Sequence, residues 1–283
     1  MIICRTVEKI RAMARSNPNL WVNAGFVPTM GALHDGHLSL VKACKQASGL
    51  VVASIFVNPS QFNDPADFEK YPVTLDRDVQ LLEEAGCDIL FLPDTREIYP
   101  DGWQQGGYFD LGNLEKVLEG FYRPGHFQGV CQVVDRLLNI IQPKYLFMGQ
   151  KDFQQCMVIQ RLIYIKKLDI QLITCPTLRE QDGLAMSSRN LRLSGEERQN
   201  ATAIYKAMLQ LKTGLGKIPV RELESKASAF LVQNGFRSID YVSICQPATL
   251  EPLEDWTPGT PAVVLVAAFM GDIRLIDNLL LND

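Results

Sequence analysis

Two of the chain's three histidines, His34 and His37, stand three positions apart inside "PTMGALHDGH", Pro28 to His37. Residues at i and i+3 share one side of a helix start. Two imidazoles there can donate hydrogen bonds to phosphoryl oxygens as charge moves in a transition state. The helix start itself offers N–H groups and the positive end of its dipole to an anion. Gly31 and Gly36 let the backbone turn sharply and approach a ligand closely. Two plainer readings compete. The histidines could cap or pack, or they could chelate zinc, which would need a third ligand. The remaining histidine, His126, lies far away in sequence with no cysteine or carboxylate in ligand spacing.

A second set of chemical groups sits in "LAMSSRNLRL", where Ser187 and Ser188 supply hydroxyls and Arg189 a planar guanidinium fork for phosphate oxygens. Taken alone, that stretch is an ordinary polar loop. "SIFVNPSQF" carries Asn58 and Gln61, whose amides can donate to a carboxylate and accept from a hydroxyl. "FYRPGHFQGV" is a turn into a helix carrying Arg123 and His126. "MGQKDFQQC" ends a strand and starts a helix. Lys151 suits phosphates there, Asp152 suits ribose hydroxyls or the lysine, and Gln155 lies one helical turn further on.

These stretches need elements to hold them. Short continuous apolar runs, "VNAGFVP", "LVVASIFV", "CDILFLP", "KYLFMG" and "IQLITCP", alternate with helical segments. That pattern predicts an α/β fold, a Rossmann-like doubly wound parallel sheet covered on both faces. In such sheets ligands bind beyond the carboxyl ends of the strands, where most of the stretches above fall. After about Pro176 the pattern changes. "SGEERQNATAIYKAMLQLKTG" opens with Ser194 and Glu197 in capping-box spacing, and a second helix follows Pro219. "SIDYVSICQ", "PAVVLVAAFM" and "DIRLIDNLLL" then read as mainly antiparallel strands. The expected organisation is a Rossmann-like domain over 1–176 and a smaller α+β domain over 177–283. Trp103 to Tyr108, polar and glycine-rich, reads as an exposed loop or hairpin.

The net charge of −4 gives no reason to expect nucleic acid or an anionic membrane as partner. The seven cysteines are scattered and never paired as C-x-x-C, which reads as buried small hydrophobes in a reducing compartment. No run approaches about 18 consecutive apolar residues, so the expected location is cytoplasmic.

The H-x-G-H arrangement resembles the signature of the nucleotidylyltransferase superfamily, and the M-S-S-R stretch resembles its usual companion loop. Together, "FVPTMGALHDGH", "FVNPSQF", "YRPGHFQGV", "GQKDFQQ" and "DGLAMSSRN" are similar to the pantoate–β-alanine ligase family, strongly from about residue 20 to 195. That resemblance implies ATP-dependent condensation of pantoate with β-alanine through an acyl adenylate, on the way to coenzyme A. It implies ATP binding by Met30, Gly31, Ala32, Leu33, His34, Asp35, Gly36 and His37, by Gly149, Gln150, Lys151 and Asp152, by Leu178, and by Met186, Ser187, Ser188 and Arg189. His37 would be the catalytic proton donor, with His34 and Lys151 assisting. Gln61 would contact pantoate and β-alanine, and Gln155 pantoate, with Asn58 beside them. It implies that the domain over 1–176 binds nucleotide and substrate and that the smaller one closes over the site. It further implies a homodimer and a magnesium ion accompanying the nucleotide. The metal's protein ligand stays unassigned, because "YPVTLDRDVQ" puts Arg77 at the family's carboxylate position, between Asp76 and Asp78. Two other readings stay open: another nucleotidylyltransferase of the same fold, and a non-catalytic nucleotide-binding module.

Overall fold

The apolar runs become strands because each presents alternate side chains to two helical layers. The computed structural model describes residues 1–61, 68, 69, 71–102 and 107–281. Residues 103–106 of the expected glycine-rich loop lie outside them. By the density of internal contacts the chain forms two units, Met1–Gly149 with Gln155–Pro176, and Gln150–Gln154 with Thr177–Asp283.

The first unit contains a six-stranded sheet in the order β1-β4-β3-β2-β5-β6, every pair parallel. Its strands are β1 (Ile2–Cys4), β2 (Ala24–Thr29), β3 (Leu50–Ile55), β4 (Ile89–Phe91), β5 (Tyr145–Gly149) and β6 (Gln171–Cys175). The order runs outward from β2 to β4, then restarts at β5 on the other side of β2. The carboxyl ends of β2 and β5 therefore flank the topological switch point, where doubly wound sheets bind ligands. β1 is the one strand the sequence does not announce, at three residues and on the sheet edge.

Long helices of this unit are α1 (Val7–Ser16), α2 (Asp35–Ala47), α3 (Leu75–Glu84), α4 (His126–Ile141) and α5 (Phe153–Lys166), whose first two residues group with the second unit. Phe26, Val52, Phe91 and Leu146 point to one face and pack with residues of α1, α4 and α5. Val27, Val51, Leu90 and Phe147, one position along each strand, point to the other and pack with residues of α2 and α3. This doubly covered sheet is the expected α/β arrangement. Burial of these side chains contributes roughly 1.5–3 kcal/mol each, so the sheet is a rigid platform for the loops at its carboxyl edge.

In the second unit, α6 (Ala203–Gly214) and α7 (Val220–Gln233) pack against an antiparallel sheet of β7 (Phe236–Cys245), β8 (Val263–Met270) and β9 (Ile273–Leu280), in that order. Ser194 and Glu197 form the expected capping box, at the head of a short helix, Gly195–Asn200. The segment Gln150–Gln154, expected within the first domain, groups with this unit. The Asn278 side chain on β9 donates to the carbonyls of Gln150 and Lys151, both at 2.9 Å.

Candidate active site

In the first unit the site begins where β2 ends. Thr29 Oγ1 donates to the Ser54 carbonyl at 2.7 Å and accepts from Gly31 N–H at 3.2 Å, which ties the strand end to β3 and starts the turn. Gly31 and Ala32 both take left-handed backbone angles, φ +82° and +50°. Glycine adopts that region freely, and alanine at a cost of about 1–2 kcal/mol.

His34 is the N-cap of α2, and the two histidines cap each other's turn. The His34 Nδ1 accepts from Gly36 N–H at 3.2 Å, and the His37 Nδ1 accepts from His34 N–H at 3.4 Å. Their ring centroids are 4.1 Å apart. A backbone N–H can only donate, so both Nδ1 atoms act as acceptors and the neutral rings carry their proton on Nε2. Two of the N–H groups expected at this helix start are engaged within the turn. Gly36 N–H bonds the His34 ring, and His37 N–H bonds the His34 carbonyl at 2.8 Å.

Gln61 closes the 3₁₀ turn Pro59–Gln61 beyond β3. Its Nε2 donates to the Met30 sulfur at 2.9 Å, and its Oε1 accepts from Asn58 Nδ2 at 3.2 Å. Asn58, 1% exposed, also donates to the Gly129 carbonyl at 3.1 Å and accepts from Tyr99 and Ser60 hydroxyls at 2.9 and 3.1 Å. All four hydrogen-bonding positions of its amide are thus filled from within the protein. As it stands Asn58 orients Gln61, and a substrate would reach it only by displacing one of these partners. His126 is a buried residue at the start of α4, and its Nδ1 bonds the Gln61 carbonyl at 2.7 Å. The His126–Gln61 and Asn58–Gly129 bonds are not visible in local sequence, since they join residues 65 and 71 positions apart. Gly129 lets α4 approach this turn, because a Cβ there would run into the Ser60 carbonyl group.

In the second unit, Leu178 and Met186 open a small hairpin, with Met186 N–H donating to the Leu178 carbonyl at 3.0 Å and Arg179 bridged to Ala185. Gly183, at φ +93°, makes its turn possible. The hairpin is anchored by Arg179, which donates to both oxygens of buried Asp277 at 2.6 and 3.0 Å and lies 4.2 Å from the Tyr205 ring centroid. Burial raises the Asp277 carboxyl from its ordinary value, and the guanidinium works against that shift. Ser187, Ser188 and Arg189 follow directly, with Ser187 Oγ accepting from Arg189 N–H at 3.3 Å. β9 packs against both the Gln150–Asp152 turn and the Ser188–Arg192 turn. Lys151 and the M-S-S-R segment, distant in sequence, are thereby gathered by one strand. Lys151 Nζ stands 3.6 Å from Asp152.

Of the two carboxylates in "YPVTLDRDVQ", one is already taken. Asp76 and Arg77 are exposed, while Asp78, 1% exposed, has both oxygens committed to backbone N–H groups. Among the described residues no group of three or more His, Cys, Asp or Glu could hold a metal ion. No helix among them is long and apolar enough to cross a membrane.

A doubly wound sheet whose switch point carries two imidazole donors and amide side chains defines an α/β protein equipped for small anionic ligands. Residues 2–280 match the family model described as pantoate-beta-alanine ligase. The pantothenate synthetase of Cytophaga hutchinsonii is 42% identical, covering 99% of each chain. The crystal structure of pantothenate synthetase from Thermus thermophilus superimposes with a TM-score of 0.91 at 42% identity, covering 100% of both chains. The pantoate-beta-alanine ligase of Francisella tularensis, complexed with beta-gamma ATP and beta-alanine, gives 0.84 at 34% identity, covering 100% of this chain and 98% of that one. The chain belongs to the pantoate-beta-alanine ligase family.

Proposed function

We propose that the chain is an AMP-forming ligase that condenses (R)-pantoate with β-alanine to pantothenate. The observation that carries this is the family match along residues 2–280, joined to a histidine pair whose Nδ1 atoms both accept backbone N–H bonds, which leaves Nε2 to carry each neutral ring's proton. In the first step a pantoate carboxylate oxygen attacks the α-phosphorus of ATP, and the bond to the departing pyrophosphate breaks. In the second the β-alanine amine attacks the acyl carbon of the pantoyl adenylate, AMP leaves, and the nitrogen loses a proton. Neither step asks for covalent help from the protein; both ask for positioning and for donors aimed at developing charge.

The proposal assigns His34 and His37 to phosphoryl oxygens, with His37 closest to the proton traffic. Met30–His37, Gly149–Asp152, Leu178 and Met186–Arg189 are assigned to ATP, with Lys151, Ser187, Ser188 and Arg189 on its phosphates. Gln61 is assigned to both pantoate and β-alanine, and Gln155 to pantoate. Support for Gln61 comes from its side-chain amide, held by Asn58 and Met30, and from its backbone carbonyl, held by His126. Magnesium belongs to this reading as the ion that accompanies the nucleotide, its protein ligand unassigned, and no step is routed through it. A homodimer is part of the same proposal, and a monomer by light scattering would remove it.

Pantoate-dependent exchange of labelled pyrophosphate into ATP tests the first step, and release of free AMP only when β-alanine is added tests the second. Exchange driven by a phosphorylated acceptor and not by pantoate would instead favour a nucleotidylyltransferase making a stable product. Binding of ATP without any exchange would reduce the chain to a nucleotide-binding module.

A further inference from the structure

The turn ahead of His34 is an anion seat that already holds an anion. With Gly31 and Ala32 both left-handed, the N–H groups of Ala32 and Leu33 converge on one side, the geometry of a backbone nest. The Asp78 carboxylate, from the first turn of α3, occupies it. Oδ2 accepts from Ala32 N–H at 2.9 Å and Oδ1 from Leu33 N–H at 2.8 Å. Thr74 Oγ1 adds a third bond to Oδ1 at 3.1 Å. The fit is close, since a Cβ on Gly31 would sit 3.1 Å from Asp78 Oδ2 and 3.2 Å from Ile55 Cγ2.

Resting on the ligase reading, we propose that Asp78 is a positioning residue for the histidine pair. Charge-assisted bonds to two adjacent N–H groups hold a backbone that its own φ angles disfavour. The next N–H in the chain, that of His34, donates to the His37 ring, and the next turn caps on the His34 ring. The register set at Ala32 and Leu33 is therefore transmitted over two residues to both imidazoles. The seat being filled, the substrate anion is met by ring Nε2–H groups. Local spacing gives no sign of this role, because the nest and its anion are 45 and 46 residues apart.

Asp78→Asn is nearly isosteric, yet it turns an amide NH₂ toward Ala32 N–H, donor against donor. In the full-length protein, long-range ¹⁵N–¹H imidazole spectra report three histidines. The expected result is that His34 and His37 show the Nε2–H tautomer in the parent, and that both shift or broaden in the variant while His126 does not. Pyrophosphate exchange should lose about 10²-fold in kcat, the scale of an ångström-sized misplacement, with KM for ATP within about threefold. Unchanged imidazole signals and kcat within twofold in a folded Asp78→Asn protein would overturn the proposal. Should that variant not fold, amide hydrogen exchange in the parent decides. Strong protection of Ala32 and Leu33 supports the filled nest, and exchange at loop rates at both removes it. The imidazole and amide readouts need no substrate, so failure of the ligase reading and failure of this one are told apart.

Discussion

Asn278 offers a sharp test of how the second unit sets up Lys151. Its side chain is 2% exposed, donates to the Gln150 and Lys151 carbonyls at 2.9 Å each, and accepts from Gln150 Nε2 at 3.3 Å. Asn278→Asp preserves shape but replaces the doubly donating NH₂ with a carboxylate oxygen that faces two carbonyl oxygens. Two net hydrogen bonds are lost at about 0.5–1.5 kcal/mol each, and the stranded carbonyls add a desolvation cost. The expected destabilisation is about 2–4 kcal/mol, read by denaturant unfolding. Because Lys151 is carried on the same backbone, the exchange reaction should also slow, by about 10-fold, through misplacement of its ammonium. Asn278→Ala separates the two causes. It loses the same donors without the added charge, and should cost less stability while slowing exchange comparably. The reasoning is refuted if either variant loses the stated stability and still exchanges pyrophosphate at the parent rate, since the strand would then hold the fold and not the lysine.

Replacing His37 or Lys151 by Ala should lower pyrophosphate exchange about 10²-fold or more, the loss of one transition-state donor; near-normal turnover in either would count against its assigned role. Gly129→Ala should push α4 off the Pro59–Gln61 turn, costing about 1–3 kcal/mol by overpacking and raising KM for pantoate and β-alanine, as steady-state kinetics would show. All seven cysteines are buried, and burial pushes the thiols of Cys44 and Cys245 to about 11 and those of Cys87 and Cys131 to about 12. Native thiols should therefore resist alkylation at pH 8 and react together on unfolding. The same raised values mean that the stability they contribute is complete below the unfolded thiol value of about 8.5 and is lost as pH climbs toward 11–12. A melting temperature flat across that interval would contradict this.

Much of the fold could be read in one dimension. β2 to β6 are short apolar runs and β7 to β9 follow without helices between them, so periodicity and order announce a parallel sheet and then an antiparallel one. β1 escapes because three residues carry no period; only pairing with β4 makes Ile2–Cys4 a strand. The candidate residues were legible wherever reactive residue types cluster locally, as in the histidine pair, the Gln61 turn, Lys151 with Asp152, and the M-S-S-R loop.

Residue type and local spacing fixed which groups could do chemistry, because those are properties of a few neighbouring side chains. The tertiary structure decided what holds them. Asp78 in the nest at Ala32, His126 on the Gln61 carbonyl, Asn278 beneath Lys151, and Asp277 locking Arg179 each join residues 46 to 127 positions apart. The physical reason is that a buried polar group must find its partner in space. In a doubly wound sheet and its companion unit, neighbours in space are set by strand order and helix packing, which a linear spacing does not contain.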